Sequence, residues 1–254
     1  MITDSFDIGS PAKINVQANP EAVRVEAAIF TFSDRIERYV TENYDRDKVG
    51  ELVMAHGVSP GYTFWHNGMR FGFFRTWVGA PACAATVEEL PTVLDTKSIV
   101  HFGGAGCLNK EIARGKVMVP TAAYRDEGTS YHYAPASDYI EIENSGIVAG
   151  FMRENGIPYA LGRTWTTDAF YRETLNNFEK RKAEGCISVE MEGAAVQAVC
   201  RFRGLEVYMF FTSGDLLDAP EWTARREHGQ VKHTQHDPGH FEIALALAEY
   251  AASK

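Results

Sequence analysis

The sequence predicts an α/β protein of three layers, with helices on both faces of a mixed central sheet. Three observations carry this expectation. Short apolar runs alternate along the chain with segments whose apolar residues recur at helical spacing. Asn67-Gly68 stands between two strand-like runs, and both residues tolerate the positive φ of a type I′ turn, which adds an antiparallel hairpin to the βα order. Two consecutive strands late in the chain end in acids, Val189-Glu190-Met191-Glu192-Gly193 and Ser213-Gly214-Asp215. Open α/β sheets build ligand sites in the crevice above such strand ends.

Residues 1–24 contain Pro11 and Pro20 and little periodicity, and read as an irregular arm. A short apolar strand is expected over 27–32, after which Ser33 caps a helix carrying Ile36, Tyr39 and Val40. The hairpin strands are 62–66 and 69–77, and a helical run follows over 82–90. The strand 98–102 leads into Gly103-Gly104-Ala105-Gly106, glycines that let a backbone approach a ligand closely. Their spacing is not GxGxxG, so a dinucleotide site has no support.

Further units are a strand over 116–122, a loop over 125–130, a helix near 147–155 and a strand over 159–164. After Glu190, residues Met191, Ala194, Ala195, Ala198, Val199 and Phe202 keep helical spacing until Gly204 stops the run, and a strand follows over 205–211. The last helix, near 240–252, carries Phe241, Ile243, Ala244, Leu245, Leu247 and Ala248 as an apolar docking face. No internal repeat is visible.

With 254 residues and 45% hydrophobic content the chain can bury a large core, and one domain over 1–254 is expected. A net charge of −9 without a basic stripe argues against a nucleic-acid polymer as partner. No stretch reaches bilayer-spanning length, and the first residues lack the basic flank and apolar core of a signal peptide. Cys83, Cys107, Cys186 and Cys200 show no CxxC pairing and fit reduced thiols of a cytoplasmic protein. The cluster His228, His233, His236 and His240 is interrupted by Asp237-Pro238-Gly239, so no metal site is assigned to it.

An acid in a helix's first turn usually does no more than offset the macrodipole. Two acids flanking a Met, followed one βα unit later by Ser-Gly-Asp, weaken that reading. Together with Trp165-Thr166-Thr167-Asp168-Ala169-Phe170-Tyr171, these segments resemble the nucleoside phosphorylase and nucleosidase superfamily, of the purine nucleoside and uridine phosphorylase type. The resemblance implies that Glu192 holds the ribose hydroxyls, Met191 packs on the sugar and Glu190 lies beside them. It places Asp215 and Ser213 at the base, with Asp215 helping the leaving group depart, and Trp165 at the position of a stacking aromatic. A carboxylate near a sugar that turns cationic stabilises an oxocarbenium-like transition state, and a departing base needs a proton or hydrogen bond. Glu192 and Asp215 are therefore the expected catalytic pair. The absence of a Gln and Arg pair in the base segment favours a purine over uridine.

The chain departs from the family pattern at the phosphate. Arginines are the usual phosphate ligands because their fork matches two oxygens at once. Here the first strand ends in Thr31-Phe32-Ser33-Asp34-Arg35, residues 57–61 read Gly-Val-Ser-Pro-Gly, and His101 and Gly104 stand where Arg and Ser or Thr are the rule. The remaining candidates for phosphate are Ser33, Arg35, His101, Gly103 and Gly104. The expected activity is phosphorolysis of a purine nucleoside to free base and ribose 1-phosphate. The alternatives are a nucleosidase using water, with Asp34 or Glu127 as base, a uridine phosphorylase, or a non-catalytic nucleoside-binding relative. Phosphate enters as co-substrate, no cofactor or metal is expected, and the family implies a homo-oligomer, whether dimer, trimer or hexamer.

Overall fold

The computed structural model describes residues 1–55, 57–218, 226–227, 230–231 and 237–254. Its ten-stranded mixed sheet consists of β1 (Ala28–Thr31), β2 (Arg46–Met54), β3 (Gly57–His66), β4 (Met69–Arg75), β5 (Ser98–Cys107), β6 (Val117–Asp126), β7 (Tyr139–Glu141), β8 (Tyr159–Thr167), β9 (Cys186–Glu190) and β10 (Glu206–Leu216). The order is β9-β8-β6-β10-β5-β1-β4-β3-β2, with β7 beside β6. The helices are α1 (Asp34–Asn43), α2 (Ala80–Glu89), the single turn α3 (Lys110–Ala113), α4 (Ser145–Glu154), α5 (Leu175–Ala183), α6 (Gly193–Arg203) and α7 (Pro238–Ala252).

Side chains alternate across a strand, so each buried strand feeds two cores. On β10, Val207, Met209 and Phe211 join the core under α2 and α6, while Tyr208 and Phe210 join the core under α1, α4 and α7. The three expected layers follow from this alternation. On the second face Phe241 of α7 is fully buried, with its ring centroid 5.5 Å from Tyr44, 5.7 Å from Phe73 and 6.1 Å from Phe64. All four cysteines are free and buried.

The local signals hold where they rest on backbone chemistry. Ser33 accepts a hydrogen bond from the Ile36 amide at 3.2 Å and caps α1. Asn67 and Gly68 adopt φ of 49° and 79°, and β3 and β4 pair antiparallel around them. Asp237 caps α7, so Asp237-Pro238-Gly239 starts that helix instead of interrupting one.

Three expectations need correction. Strand β2, with β3 back to Gly57, is absent from the sequence reading because its outer residues are mostly exposed and show no clean alternation. The glycines 103, 104 and 106 lie inside β5, which continues to Cys107, and do not form a loop after it. Strand β8 likewise runs on to Thr167, its paired threonines lacking the apolar character that would have marked them.

Strand β5 continues far enough to meet β9. Ser188 and Val189 pair antiparallel with Cys107 and Gly106, and β9, β8, β6, β10 and β5 thereby close into a ring. Among the described residues no helix is long and apolar enough to cross a membrane.

Because Phe241 anchors α7 in an aromatic cluster, Phe241→Ala is expected to cost about 3–5 kcal/mol. Chemical denaturation should show the midpoint falling by the corresponding amount, with tyrosine fluorescence reporting loosened packing around Tyr44.

Candidate active site

A cavity of about 670 Å³ lies where the ring closes. Its walls come from Phe32 after β1, Gly104 to Gly106 on β5, Val189 to Glu192 at the end of β9, and Asp215 and Leu217 at the end of β10. Val78 and the turn carrying Phe170, Tyr171 and Glu173 complete it. This size suits a small organic molecule.

Glu190 organises the floor. Its Oε2 accepts the amides of Glu192 at 2.7 Å and Gly193 at 2.6 Å, and its Oε1 accepts the hydroxyls of Thr166 at 2.6 Å and Thr164 at 3.3 Å. The Thr166 hydroxyl in turn accepts the Ala194 amide at 3.0 Å. Three of the amides that the start of α6 leaves without helical partners are satisfied in this way. Glycine suits position 193, since a Cβ there would sit 3.0 Å from Glu190 Oε1, a tight contact.

Glu192 precedes α6 as its N-cap residue, yet its carboxylate does not bond to its own helix. Oε1 accepts the Gly79 amide at 2.6 Å, immediately before α2, and Oε2 accepts the Met191 amide at 3.3 Å. The N-terminus of α2 therefore faces this carboxyl, and Glu192 is 5% exposed. Burial and the neighbouring Glu190 outweigh those amides and push the Glu192 carboxyl up to about 8. Burial raises Glu190 as well. Four donors reach Glu190 against two for Glu192, so a proton held by the pair rests on Glu192.

The acids at the other part of the wall differ in kind. The Asp215 and Glu173 carboxyls both line the cavity, and neither accepts a hydrogen bond from any described residue. Burial and the Asp215 charge push the Glu173 carboxyl up to about 7. Glu173 escaped the sequence reading because no periodicity marks its segment. Its only signal is an acid two residues after Phe170-Tyr171 in a motif already singled out.

The structure gathers some predicted residues and separates others. Glu190, Met191, Glu192, Asp215 and Gly104 share the cavity, whereas Ser213 and Gly103 stay within the β10–β5 ladder, paired with Ala105 and Phe211. Trp165 does not reach the cavity. It is 1% exposed, packs with Leu108, Phe178, Cys186 and Val189, and donates its Nε1 hydrogen to Asp126 at 2.9 Å. Phe170 and Tyr171 of the same motif, with ring centroids 4.1 Å apart, are the aromatic pair that lines the cavity.

The expected phosphate cluster is not assembled. The Ser33 hydroxyl is occupied as a helix cap, and Arg35 is exposed and does not line the cavity. His101 is fully buried between Phe32 and Phe211, and burial lowers it to about 4, which leaves the ring neutral in an apolar setting. The proposed water-activating acids are also committed elsewhere: Asp34 pairs with Arg38 on the surface, and Glu127 is buried against the Ser130 amide and hydroxyl. Among the described residues, Glu173, Glu190, Glu192 and Asp215 are the charged members of the lining, and no Lys, Arg or His joins them. His228, His233 and His236 lie outside the described residues.

This geometry can be set beside known proteins. A purine nucleoside phosphorylase DeoD-type from Alkaliphilus metalliredigens (strain QYMF) is 28% identical over 195 residues, 74% of this chain and 80% of that protein. Another of that type, from Actinobacillus pleuropneumoniae serotype 5b (strain L20), is 22% identical over 211 residues, 82% of this chain and 87% of its own. The crystal structure of purine nucleoside phosphorylase from Toxoplasma gondii in complex with immucillin-H superimposes with a TM-score of 0.72 at 18% identity, covering 96% of this chain and 97% of that one. The sequence profile of the phosphorylase superfamily matches residues 27–237, a span that includes every wall of the cavity, and the chain belongs to that superfamily.

Proposed function

We propose that the cavity binds a purine ribonucleoside and cleaves its N-glycosidic bond with phosphate, releasing the free base and ribose 1-phosphate. The observation that carries this reading is Glu192. It is a buried carboxyl fixed on two backbone amides, with Met191 beside it, in a cavity that also holds an aromatic pair and a second pair of acids. A carboxyl so fixed can accept hydrogen bonds from two vicinal hydroxyls, and those bonds strengthen as positive charge develops on the sugar. Phe170 and Tyr171 offer flat faces to a base, and Glu173 and Asp215 offer hydrogen-bonding groups for its nitrogens. The named activities of the relatives support the same class of chemistry and phosphate as the acceptor.

One observation favours water instead. Four acids and no cation line the cavity among the described residues, which is a poor setting for a dianion and an acceptable one for a neutral nucleophile. Phosphorolysis therefore requires a cation from beyond that lining. We propose that the working form is a homo-oligomer, in keeping with the exposed Val78 and Tyr171 on the cavity wall. Four unpaired thiols fit a reducing, cytoplasmic setting.

Base release from inosine, adenosine and uridine, measured with and without phosphate, decides between the acceptors. Release from the purine nucleosides that depends on phosphate is expected. Equal rates without it would establish hydrolysis, and release from uridine alone would overturn the purine assignment. Glu192→Gln should lower kcat/KM by about 10- to 100-fold, with the full loss expressed above about pH 8, where the parent's carboxyl is ionised in the free protein.

The same residue sets a pH signature in the free protein. The Glu192 carboxyl is raised in the folded state from 4.5 to about 8, so its contribution to stability is intact below 4.5 and is lost as pH rises towards 8. Glu192→Gln removes that loss. Its Tm relative to the parent should climb between these two pH values and level off above them, and a difference that stays constant with pH would contradict the assignment.

A further inference from the structure

The Glu192 carboxyl is oriented from outside its own segment. A carboxylate has about four lone-pair sites, and two amides on Oε2 and two threonine hydroxyls on Oε1 fill those of Glu190, which retains none for a ligand. Glu192 accepts, among the described residues, the Gly79 amide on Oε1 and the Met191 amide on Oε2. Each of its oxygens therefore keeps an open site. The Met191 contact is the longer, at 3.3 Å, and comes from the adjacent residue, whereas the Gly79 contact is 2.6 Å and comes from 113 positions away. Gly79 thus decides which way the open sites point. Its φ of 103° and ψ of 143° lie where residues with a Cβ are rarely found, yet an added Cβ would meet nothing within 4 Å, so glycine is needed here for conformation and not for space. The Gly79 carbonyl accepts the Cys83 amide at 3.0 Å and begins α2, while its own amide serves Glu192. Three residues earlier the Thr76 amide donates to the Thr31 carbonyl at 2.8 Å, and the Thr76 hydroxyl lies 3.0 Å from that of Thr86 on α2. The strap from Thr76 to Gly79 is tied at both ends, with Val78 on the cavity wall between them.

We propose that Gly79 is the positioning residue that makes Glu192 a reader of vicinal hydroxyls, and that the site thereby selects ribonucleosides over 2′-deoxyribonucleosides. This rests on the nucleoside reading above. With Oε1 held by the Gly79 amide, the open site on each Glu192 oxygen takes one sugar hydroxyl as donor. A 2′-deoxyribose supplies one of the two donors and leaves the other oxygen with an unmatched acceptor in a residue that is 5% exposed. Glu190 cannot compensate, because its own sites are full.

The test compares kcat/KM on inosine and 2′-deoxyinosine above about pH 8, where Glu192 is ionised in the free protein. The parent is expected to prefer inosine by about 10- to 100-fold, the span that one hydrogen bond to a charged group carries. Gly79→Ala should lower kcat/KM on inosine by about 10-fold or more and narrow that preference to within about threefold, because the strained backbone turns its amide off the carboxyl. Equal loss on both substrates, as a general structural fault would give, overturns the proposal, and so does no loss on inosine. In a Glu192→Gln background, Gly79→Ala should lower inosine turnover by no more than about threefold, since the glycine acts through that carboxyl. Additive losses overturn the proposal. The parent gives a further measurement that needs no variant: its preference for inosine should widen as pH rises through about 8, and a preference that is absent or flat with pH overturns the proposal. Base release from neither nucleoside by the parent defeats the nucleoside reading itself, an outcome distinct from an active parent whose preference Gly79→Ala leaves unchanged.

Discussion

The Glu190 carboxylate is the interaction on which the site depends. One side chain takes two amides from the start of α6 and two hydroxyls from β8, so it ties the last residue of a strand to the next helix and to the neighbouring strand. Buried amides without partners are costly, and a buried carboxylate without donors is more so. Each offsets part of the other's penalty here, and burial still raises the Glu190 carboxyl. The sharp passage from β9 into α6 is held in this way, and it leaves Met191 and Glu192 projecting at the cavity. The acid that the sequence motif offered as a ribose contact is thus first an anchor, and its neighbour two residues on is the group left with capacity for a ligand.

The position of the anchor follows from ring closure. A purely open sheet would leave the ends of β5 and β9 apart, because they lie on opposite sides of β8, β6 and β10 in strand order. Extension of β5 through its glycines to Cys107 brings it against β9, and the cavity opens at that junction. Small residues suit this passage. A Cβ at Gly106 would lie 2.8 Å from both Val189 and Leu217. The glycine run is therefore a matter of strand packing, and it also exposes the backbone of Gly104 to the cavity.

Electrostatics divides the cavity into two acid pairs of unlike character. Glu190 and Glu192 are held by backbone donors at two helix starts, whereas Glu173 and Asp215 line the wall beside an aromatic pair with no donor among the described residues. Pairs of titratable groups with different environments take different roles in acid and base chemistry. The same distribution makes the lining unfavourable for an anion, which is why the nucleophile remains the discriminating question for this member of the phosphorylase superfamily.

The sequence by itself determined what local chemistry determines. Asn67-Gly68 fixes a hairpin, Ser33 caps a helix, alternation on β10 feeds two cores, and the order of Glu190-Met191-Glu192 and Asp215 along successive βα units marks the site. Tertiary structure decided which side chains face it. Trp165 and Phe170 lie in one motif five residues apart, and only packing against Phe178 and Asp126 sends the first into the core while the turn after Thr167 sends the second to the cavity. His101 is polar in sequence and enclosed by Phe32 and Phe211 in space. Glu173 carries no periodic signal, and it joins Asp215, 42 positions away along the chain, only in the wall of the folded cavity. Spacing along a chain specifies local conformation, but burial and the meeting of distant charges are set only when the strands have closed on one another.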